Sequence, residues 1–198
     1  MKNFKIKSYC KINLYLKIVK KLSNNYHNIR SLITFCHLHD IITISELRSN
    51  KDKISFSGKY HKGISKKKNT VISLLYLLRE SHLLKNQFFK INIQKNIPHG
   101  SGLGSGSSNA ATLLNYFNKR MNLKLNKNKL LKISNKIGFD VPINLERKNV
   151  FLTGKKDKIL RLKKKFRLNI LILYPNIKCS TQKIYQSNKQ KKYSKIQS

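Results

Sequence analysis

Alternating apolar and polar residues predict a strand at the start of the chain. Across residues 3–20, an apolar series from Ile12 to Ile18 alternates with polar or charged neighbours, which is the pattern of a half-buried strand. Because successive strand side chains point to opposite faces, Lys11 and Asn13 are expected together, on the face away from the apolar series.

Comparable patterns predict more strands along the chain. They fall within 29–47 and at 52–58, 88–94, 150–153 and 168–174. The polar residues 23–28 predict a turn or loop after the first strand.

Helical spacing of apolar residues occurs in three places. At 70–84 the expected N-cap is Thr70, and the expected buried stripe is Val71, Leu74, Leu75 and Leu78. A second helix is expected to bury Ala110, Leu113, Leu114, Phe117 and Met121. A third, at about 127–137, is expected to stop at Gly138. This mixture of strands and helices predicts an α+β fold.

Four of the chain's 8 glycines lie in one segment, IPHGSGLGSGSSNAAT, at residues 97–112. Glycine lets the backbone pass close to a ligand and adopt positive φ. Backbone N–H groups at a helix N-terminus lack partners and bind anions. A strand signal precedes the segment and a helix signal follows without a gap, which favours a phosphate-binding loop over a flexible Gly/Ser linker.

The charge of the chain is strongly positive. Its 198 residues include 43 Lys and Arg against 7 Asp and Glu, a formal charge of +36. Nucleic-acid binding is one explanation, but base-reading surfaces favour arginine, and only seven of these basic residues are arginine. Lysine, asparagine and isoleucine share AT-rich codons, which favours compositional drift. We therefore expect no specific nucleic-acid partner, although such a field attracts polyphosphate substrates.

Neither a membrane span nor a secretory signal is predicted. No stretch approaches the roughly 20 apolar residues of a span, and lysines interrupt the apolar residues at the N-terminus. Cys10, Cys36 and Cys179 are far apart in sequence, without metal-ligand spacing. Three cysteines without a disulfide or metal-binding pattern suit a reducing compartment, so the expected location is cytoplasmic.

Two familiar phosphate motifs do not fit the glycine-rich segment. The P-loop ends in Gly-Lys-Ser/Thr, and no lysine lies between Pro98 and Ala111. The dinucleotide fingerprint G-x-G-x-x-G fails because these glycines recur at every second residue. The segment instead resembles the glycine-rich motif of the GHMP kinases, the family of galactokinase, homoserine kinase and mevalonate kinase. In that family it is a strand–loop–helix that wraps the phosphates of ATP.

Three other blocks narrow the resemblance. CKINLYL at 10–16, NNYHNI at 24–29 and GFDVPINL at 138–145 occur in order with the glycine-rich segment. They resemble the blocks of a GHMP subgroup from non-mevalonate isoprenoid biosynthesis, and the likeness runs to about Tyr185. The resemblance implies ATP-dependent phosphorylation of the 2-hydroxyl of a cytidine-diphosphate-linked polyol.

The resemblance also implies the donor site, with ATP as donor and Mg²⁺ expected. The implied ATP-binding residues are Pro98, His99, Gly100, Ser101, Gly102, Leu103, Gly104, Ser105, Gly106, Ser107 and Ser108. Ser107 and Ser108 either donate hydroxyls to phosphate or magnesium or simply cap the helix. His99 and Ser101 replace residues that are often Met and Gly in the family. No carboxylate ligand for magnesium is identified, and no protein metal site is predicted.

Two catalytic residues are implied by the matching blocks. Phosphorylation of an alcohol needs a group that accepts the hydroxyl proton, and the family's base matches Asp140. The alternative for Asp140 is an N-cap of the turn that Pro142 starts. The family's lysine, which holds that carboxylate ionised, matches Lys11. Without the resemblance, Lys11 reads as one more solvated strand lysine.

The resemblance implies four substrate-binding residues. Asn13 shares a strand face with Lys11 and could hydrogen-bond the substrate. Tyr26 and His27 match the family's cytidine-binding pair, although a Tyr-His pair in a polar loop is more often a surface feature. Tyr185 lies where the family has a second aromatic residue for the base.

The resemblance finally implies two domains, the first of them a mixed, mostly antiparallel sheet with helices packed on one side. We also expect a monomer or a homodimer. Residues 1–155 correspond to the GHMP N-terminal domain, whose mixed sheet with helices resembles domain 2 of ribosomal protein S5. Residues 156–198 would be only the start of an incomplete, ferredoxin-like C-terminal domain and a polar tail. Two alternatives remain: another GHMP kinase for a small molecule such as homoserine or a mevalonate intermediate, or a basic, non-catalytic or RNA-associated remnant of such a kinase.

Overall fold

The computed structural model describes residues 3–22, 27–154 and 158–175. Within these ranges the chain forms a six-stranded mixed sheet, three α-helices and one 3₁₀ turn. The strands are β1 (Phe4–Lys21), β2 (His27–Leu47), β3 (Lys53–Ser57), β4 (Phe88–Gln94), β5 (Val150–Gly154) and β6 (Lys158–Arg161). The helices are α1 (Thr70–Glu80), α2 (Ser105–Arg120) and α3 (Lys127–Ile137), and the 3₁₀ turn is Pro142–Leu145. The predicted α+β class is confirmed.

The sheet is organised around β2. It pairs antiparallel with β1 along most of its length, with β4 at its C-terminal end and with β5 at its N-terminal end. β3 joins β4 in parallel and β6 joins β5 antiparallel. The apolar runs within 29–47 therefore belong to one continuous strand rather than to several short ones.

The main core lies between the sheet and the helices. Strand residues such as Ile44 and Ile93 pack against α1 and against Leu113 and Phe117 of α2. Burying each such side chain contributes roughly 1.5–3 kcal/mol. The predicted α1 stripe is buried as expected, at Val71, Leu74, Leu75 and Leu78.

Two predictions about α1 are corrected. Its N-cap is Asn69, whose side chain accepts hydrogen bonds from the N–H groups of residues 71 and 72. Thr70 is instead the first helical residue, and its hydroxyl donates to the carbonyl of Gly106 at 2.7 Å. The helix ends at Glu80 rather than 84, because His82 adopts positive φ (54°) and turns the chain.

The period-two pattern of β1 is interrupted by register shifts. They fall between Tyr9 and Lys11, between Asn13 and Tyr15, and near the end of the strand. Such bulges re-aim side chains, and Leu14, expected on a buried face, is 40% exposed.

Strand pairing also joins two cysteines that are distant in sequence. The Sγ atoms of Cys10 and Cys36 are 2.9 Å apart, and both residues are free thiols. Burial, together with the hydrogen bond to Cys36, raises the pKa of the Cys10 thiol. Cys10 therefore stays protonated. Cys179 lies outside the described residues.

The segment after β5 departs from the prediction in two ways. β6 was not predicted, and it lies beyond the predicted domain boundary at 155, yet it extends the same sheet. The Leu162 N–H donates to the Asn149 carbonyl at 2.8 Å. Residues 168–174 have no regular secondary structure, although the alternation predicted a strand, and Leu171 and Leu173 are more than four-fifths exposed. The division of the chain at residue 155 stays a prediction.

None of the helices in the described ranges has the length and apolar character needed to cross a bilayer.

Candidate active site

The connection between β4 and α2, residues 95–104, is hereafter the glycine loop. Gly100, Gly102 and Gly104 have φ values of 74°, 77° and 68°, a conformation that L-residues adopt at a cost. Gly104 is also the N-cap of α2, and it makes no side-chain cap hydrogen bond. No acidic residue lies in the first turn of α2. Its N–H groups therefore form an electropositive end that suits an anion.

The serines around the glycine loop differ in what their hydroxyls do. Ser105 donates to the Asp40 carboxylate at 2.7 Å, and Ser108 donates to the Tyr9 carbonyl at 2.6 Å. Both are buried. Ser101 donates to the carbonyl of Pro98.

Ser108 therefore does not present its hydroxyl to a ligand in this structure, contrary to one of the sequence-based alternatives. It also accepts a hydrogen bond from Ser8 at 2.9 Å, so it ties β1 to α2. Ser107, in contrast, is only half-buried, and it lines the cleft described next.

The glycine loop forms one wall of a cleft of about 710 Å³. The cleft also contains Lys11 and Asn13 of β1, and Asp140, which lies just before the 3₁₀ turn. Its lining also includes a group of aliphatic side chains, those of Leu16, Ile18, Ile29, Ile33 and Leu152. Site residues predicted from three of the four blocks thus meet in one cavity.

Lys11 and Asp140 form an ion pair inside this cleft. The Lys11 Nζ lies 3.5 Å from Asp140 Oδ2, and the two side chains are 7% and 24% exposed. Lys11 is therefore not a solvated strand lysine. Val141 occupies the N-cap position of the 3₁₀ turn, so the structure gives Asp140 a place in the cleft rather than at that cap.

A chain of hydrogen bonds orients the Lys11 ammonium. Lys11 Nζ donates to Asn13 Oδ1 at 2.8 Å, and Asn13 Nδ2 donates to Ser31 Oγ at 2.8 Å. Ser31 in turn donates to the Tyr15 carbonyl at 2.7 Å. Because Ser31 uses its proton there, it can only accept from Asn13, which fixes the amide with its oxygen toward Lys11. The sequence carries no signal for Ser31, since only β1–β2 pairing brings it near.

The glycine loop and Lys11 are in direct contact. The Lys11 N–H donates to the Leu103 carbonyl at 3.1 Å. A Cβ added at Gly104 would lie 2.8 Å from Cγ and 3.0 Å from Cε of Lys11. The absence of a side chain at residue 104 therefore leaves room for the lysine stem.

The three predicted base-binding residues are not among the described residues of the cleft. His27 is the first residue of β2, paired with Lys21, and it is not among the described residues that line the cleft. Tyr26 and Tyr185 lie outside the described residues. A role in base recognition stays a prediction for all three.

A second, smaller cavity adjoins the glycine loop. Its volume is about 290 Å³, and it shares Thr70, His99, Ser105 and Gly106 with the main cleft. A ring nitrogen of His99 lies 3.0 Å from the Lys62 carbonyl, so this ring nitrogen carries the proton.

No three His, Cys, Asp or Glu side chains of the described residues come together as a metal site. Asp140 is the one carboxylate among the cleft-lining residues of this part of the chain. The donor set therefore suits phosphate and a hydroxyl acceptor better than a resident metal ion.

Comparison with known proteins gives a consistent family. Residues 69–146, which include the glycine loop and Asp140, match the model of the GHMP kinases N-terminal domain. A protein of Pelagibacter ubique named 4-diphosphocytidyl-2-C-methyl-D-erythritol kinase is 46% identical over 185 residues, which is 93% of this chain and 65% of that protein. A protein of the same name from Francisella philomiragia is 34% identical over 94% of this chain and 68% of its own length. The chain thus spans about two thirds of the curated relatives it matches.

Solved structures agree on the fold. The crystal structure of a 4-(cytidine 5'-diphospho)-2C-methyl-D-erythritol kinase superposes with a TM-score of 0.75 and 20% identity, over 97% of this chain and 67% of that one. The mevalonate kinase of Methanococcus jannaschii superposes with a TM-score of 0.61 over 82% of this chain. With the family model, the relatives and the fold in agreement, the chain belongs to the GHMP kinase family.

Proposed function

We propose that this protein transfers the γ-phosphoryl group of ATP to the 2-hydroxyl of 4-diphosphocytidyl-2-C-methyl-D-erythritol, a step of non-mevalonate isoprenoid biosynthesis. The observation that carries the proposal is the meeting of the glycine loop and the Lys11–Asp140 pair in one cleft. The names of the relatives support the choice of acceptor.

The donor is assigned to the glycine loop. Its backbone N–H groups and the N-terminus of α2 would hold the phosphates of ATP, with Ser107 as an added hydroxyl donor. The adjoining cavity of about 290 Å³ would take the nucleoside. Magnesium would arrive with the nucleotide and neutralise charge on its phosphates.

Asp140 is assigned as the general base. It would accept the proton of the acceptor hydroxyl as that oxygen forms a bond to the γ-phosphorus. The bond between the γ-phosphorus and the bridging oxygen breaks, and ADP leaves with the electron pair. Half-burial of Asp140 keeps it within reach of a substrate in the cleft.

Lys11 and Asn13 are assigned to support that base. The ammonium favours the ionised form of Asp140 and offsets charge on the transferring group. Asn13 holds the ammonium through its own side-chain oxygen. Lys11 would thereby act on the carboxylate and the phosphoryl group together.

The remaining assignments follow the resemblance. Tyr26, His27 and Tyr185 would bind the cytosine base of the acceptor, and a cytoplasmic location would give access to ATP. The two units keep the predicted division, with residues 1–155 as the N-terminal unit and 156–198 as the start of a second unit.

The proposal is tested by measuring ADP release from the purified protein in a coupled assay with ATP and the diphosphocytidyl substrate. We expect stimulation by this substrate and inhibition by cytidine diphosphate. The Asp140→Ala variant should lose about 10²- to 10⁴-fold in kcat, the usual contribution of a general base.

Glu80→Ala is the matched control, because it also removes one carboxylate but lies exposed at the end of α1. It should retain the activity of the wild type. Stimulation by homoserine or mevalonate instead would replace the proposed acceptor, and the absence of any stimulated ADP release would refute the kinase itself.

A further inference from the structure

Asp40 is a fully buried carboxylate that the proposed chemistry does not use. It lies in β2 and is 0% exposed. A buried charge is costly unless it is paired and hydrogen-bonded. Its partners therefore indicate what this position stabilises.

The two carboxylate oxygens of Asp40 contact opposite ends of the glycine loop. Oδ1 accepts hydrogen bonds from the N–H groups of Asn96 (2.8 Å) and Ile97 (3.0 Å), where the loop leaves β4. Oδ2 accepts from the Ser105 hydroxyl (2.7 Å) and from Asn109 Nδ2 (3.2 Å), where the loop enters α2. One side chain thus bridges the entry and the exit of the loop.

Lys95 completes this cluster. Its ammonium donates to both Asp40 Oδ2 and Ser105 Oγ, and it is buried as well. Burial lowers the pKa of Lys95, and the nearby Asp40 opposes that shift. The two buried charges thus compensate each other, and Ser105 at the start of α2 hydrogen-bonds to both of them.

Another paired carboxylate, Asp52, shows what a general structural ion pair looks like in this chain. It binds the Arg79 guanidinium through both oxygens at 2.8 Å and accepts from the Phe89 N–H. Those contacts join α1 to the start of β4, at the end of the strand away from the glycine loop. Asp40 differs because its hydrogen bonds all go to the residues that begin or follow the loop.

We propose that Asp40 is a positioning residue that fixes the distance between the two ends of the glycine loop and so sets the spacing of its phosphate-binding N–H groups. This inference rests on the proposed function in taking the loop as the nucleotide site. Ser105 and Gly106, at the end that Asp40 holds, line the cleft directly. A shift of that end would move the N-terminus of α2 relative to Lys11.

The test combines MgATP affinity, measured by titration calorimetry, with hydrogen exchange of the loop amides. Asp40→Asn combined with Lys95→Met removes both buried charges together, which avoids leaving one unpaired. Because Lys95 also lines the cavity assigned to the nucleoside, binding of magnesium tripolyphosphate, which has no nucleoside, is measured beside that of MgATP and should weaken as well. We expect this double variant to bind MgATP at least about tenfold more weakly, because misplaced N–H groups lose hydrogen bonds to the charged phosphates. The amides of Asn96 and Ile97 should exchange faster.

Asp52→Asn is the matched control for a lost ion pair. It should lower the unfolding midpoint while leaving MgATP affinity and loop exchange as in the wild type. Ser105→Ala is a milder variant that releases only the helix end of the loop. If the double variant does not fold, Ser105→Ala tests whether the contact with Asp40 positions the loop. We expect it to weaken MgATP binding several-fold.

The inference is overturned if folded Asp40→Asn/Lys95→Met, or Ser105→Ala in its place, keeps wild-type affinity and wild-type loop exchange. It is also overturned if Asp52→Asn weakens MgATP binding equally, because the effect would then be one of general stability. If the wild type binds no MgATP, the proposed function fails, and loop exchange alone decides whether Asp40 holds the loop.

Discussion

At the scale of single residues, two glycines of the loop share a conformation but not an environment. Gly102 and Gly104 have φ values of 77° and 68°, so any L-residue pays a similar backbone cost at either position. A Cβ at Gly102 would meet nothing within 4 Å, whereas one at Gly104 would collide with the stem of Lys11. The pair therefore separates backbone strain from displacement of the lysine.

The Gly104→Ala variant should lose kcat by about tenfold or more relative to Gly102→Ala, because only the former pushes Lys11 away from Asp140. Both variants should lose some ATP affinity through the strained loop. Steady-state kinetics at saturating ATP measure the difference. Equal kcat values for the two variants would show that the contact between Gly104 and Lys11 does not matter for turnover.

At the scale of elements, the 3₁₀ turn that follows Asp140 is held by a strand that the sequence pattern did not predict. Arg161 of β6 donates to the carbonyls of Pro142 (2.9 Å) and Ile143 (3.2 Å). Its Nε also lies 2.9 Å from Glu146 Oε1. The guanidinium thus satisfies the backbone of the 3₁₀ turn while pairing with a carboxylate just after it.

Arg161→Lys should lower kcat several-fold while leaving the affinity for ATP unchanged. A lysine keeps the positive charge, but its single ammonium cannot donate to all of these acceptors as the planar guanidinium does. Arg161→Ala should have a larger effect and also lower the unfolding temperature. Kinetics and thermal melts of both variants test this. A lysine variant with wild-type kcat would mean that charge alone positions the turn.

Several residues of the site could be predicted from local sequence, and others could not. The glycine loop is predicted by local sequence, whereas Asp140 and Lys11 are predicted only through the resemblance of their blocks to those of the GHMP kinases. Asp40 and Ser31 lie in an apolar strand pattern and acquire their roles only through pairing with distant segments.

The same limit explains the errors in the elements. Alternation in β1 predicted a buried series, but its bulges expose Leu14. Alternation at 168–174 marks residues able to form a strand, yet a strand also needs a neighbour, and none pairs with it among the described residues. The local pattern of apolar and polar residues thus predicts whether a segment can form a strand or a helix more reliably than it predicts which segments pair with it.

At the scale of the whole molecule, the few acidic residues are concentrated in ion pairs. Asp40, Asp52, Asp140 and Glu146 account for four of the seven carboxylates, and each pairs with a basic side chain. Most of the 43 basic residues therefore contribute to a positive field around the protein. Such a field raises the rate at which anions reach a cleft.

Both proposed substrates are anionic, so kcat/KM for each should fall several-fold as ionic strength rises from about 0.01 to about 0.15 M, where the Debye length shrinks from about 30 to about 8 Å. The kcat should change much less, because the cleft charges are close together and partly buried. A salt series with potassium chloride measures both constants. A kcat/KM that does not depend on salt would show that the net charge does not steer the substrates.

The contact between Lys11 and the glycine loop has a consequence for protein engineering. One strand supplies the lysine that holds the base and also the N–H group that supports the loop at Leu103. The loop is therefore not a portable module: grafted into another scaffold without β1, it would lose the support of its backbone. Recombination among related kinases should preserve function only when β1 and the glycine loop come from the same parent.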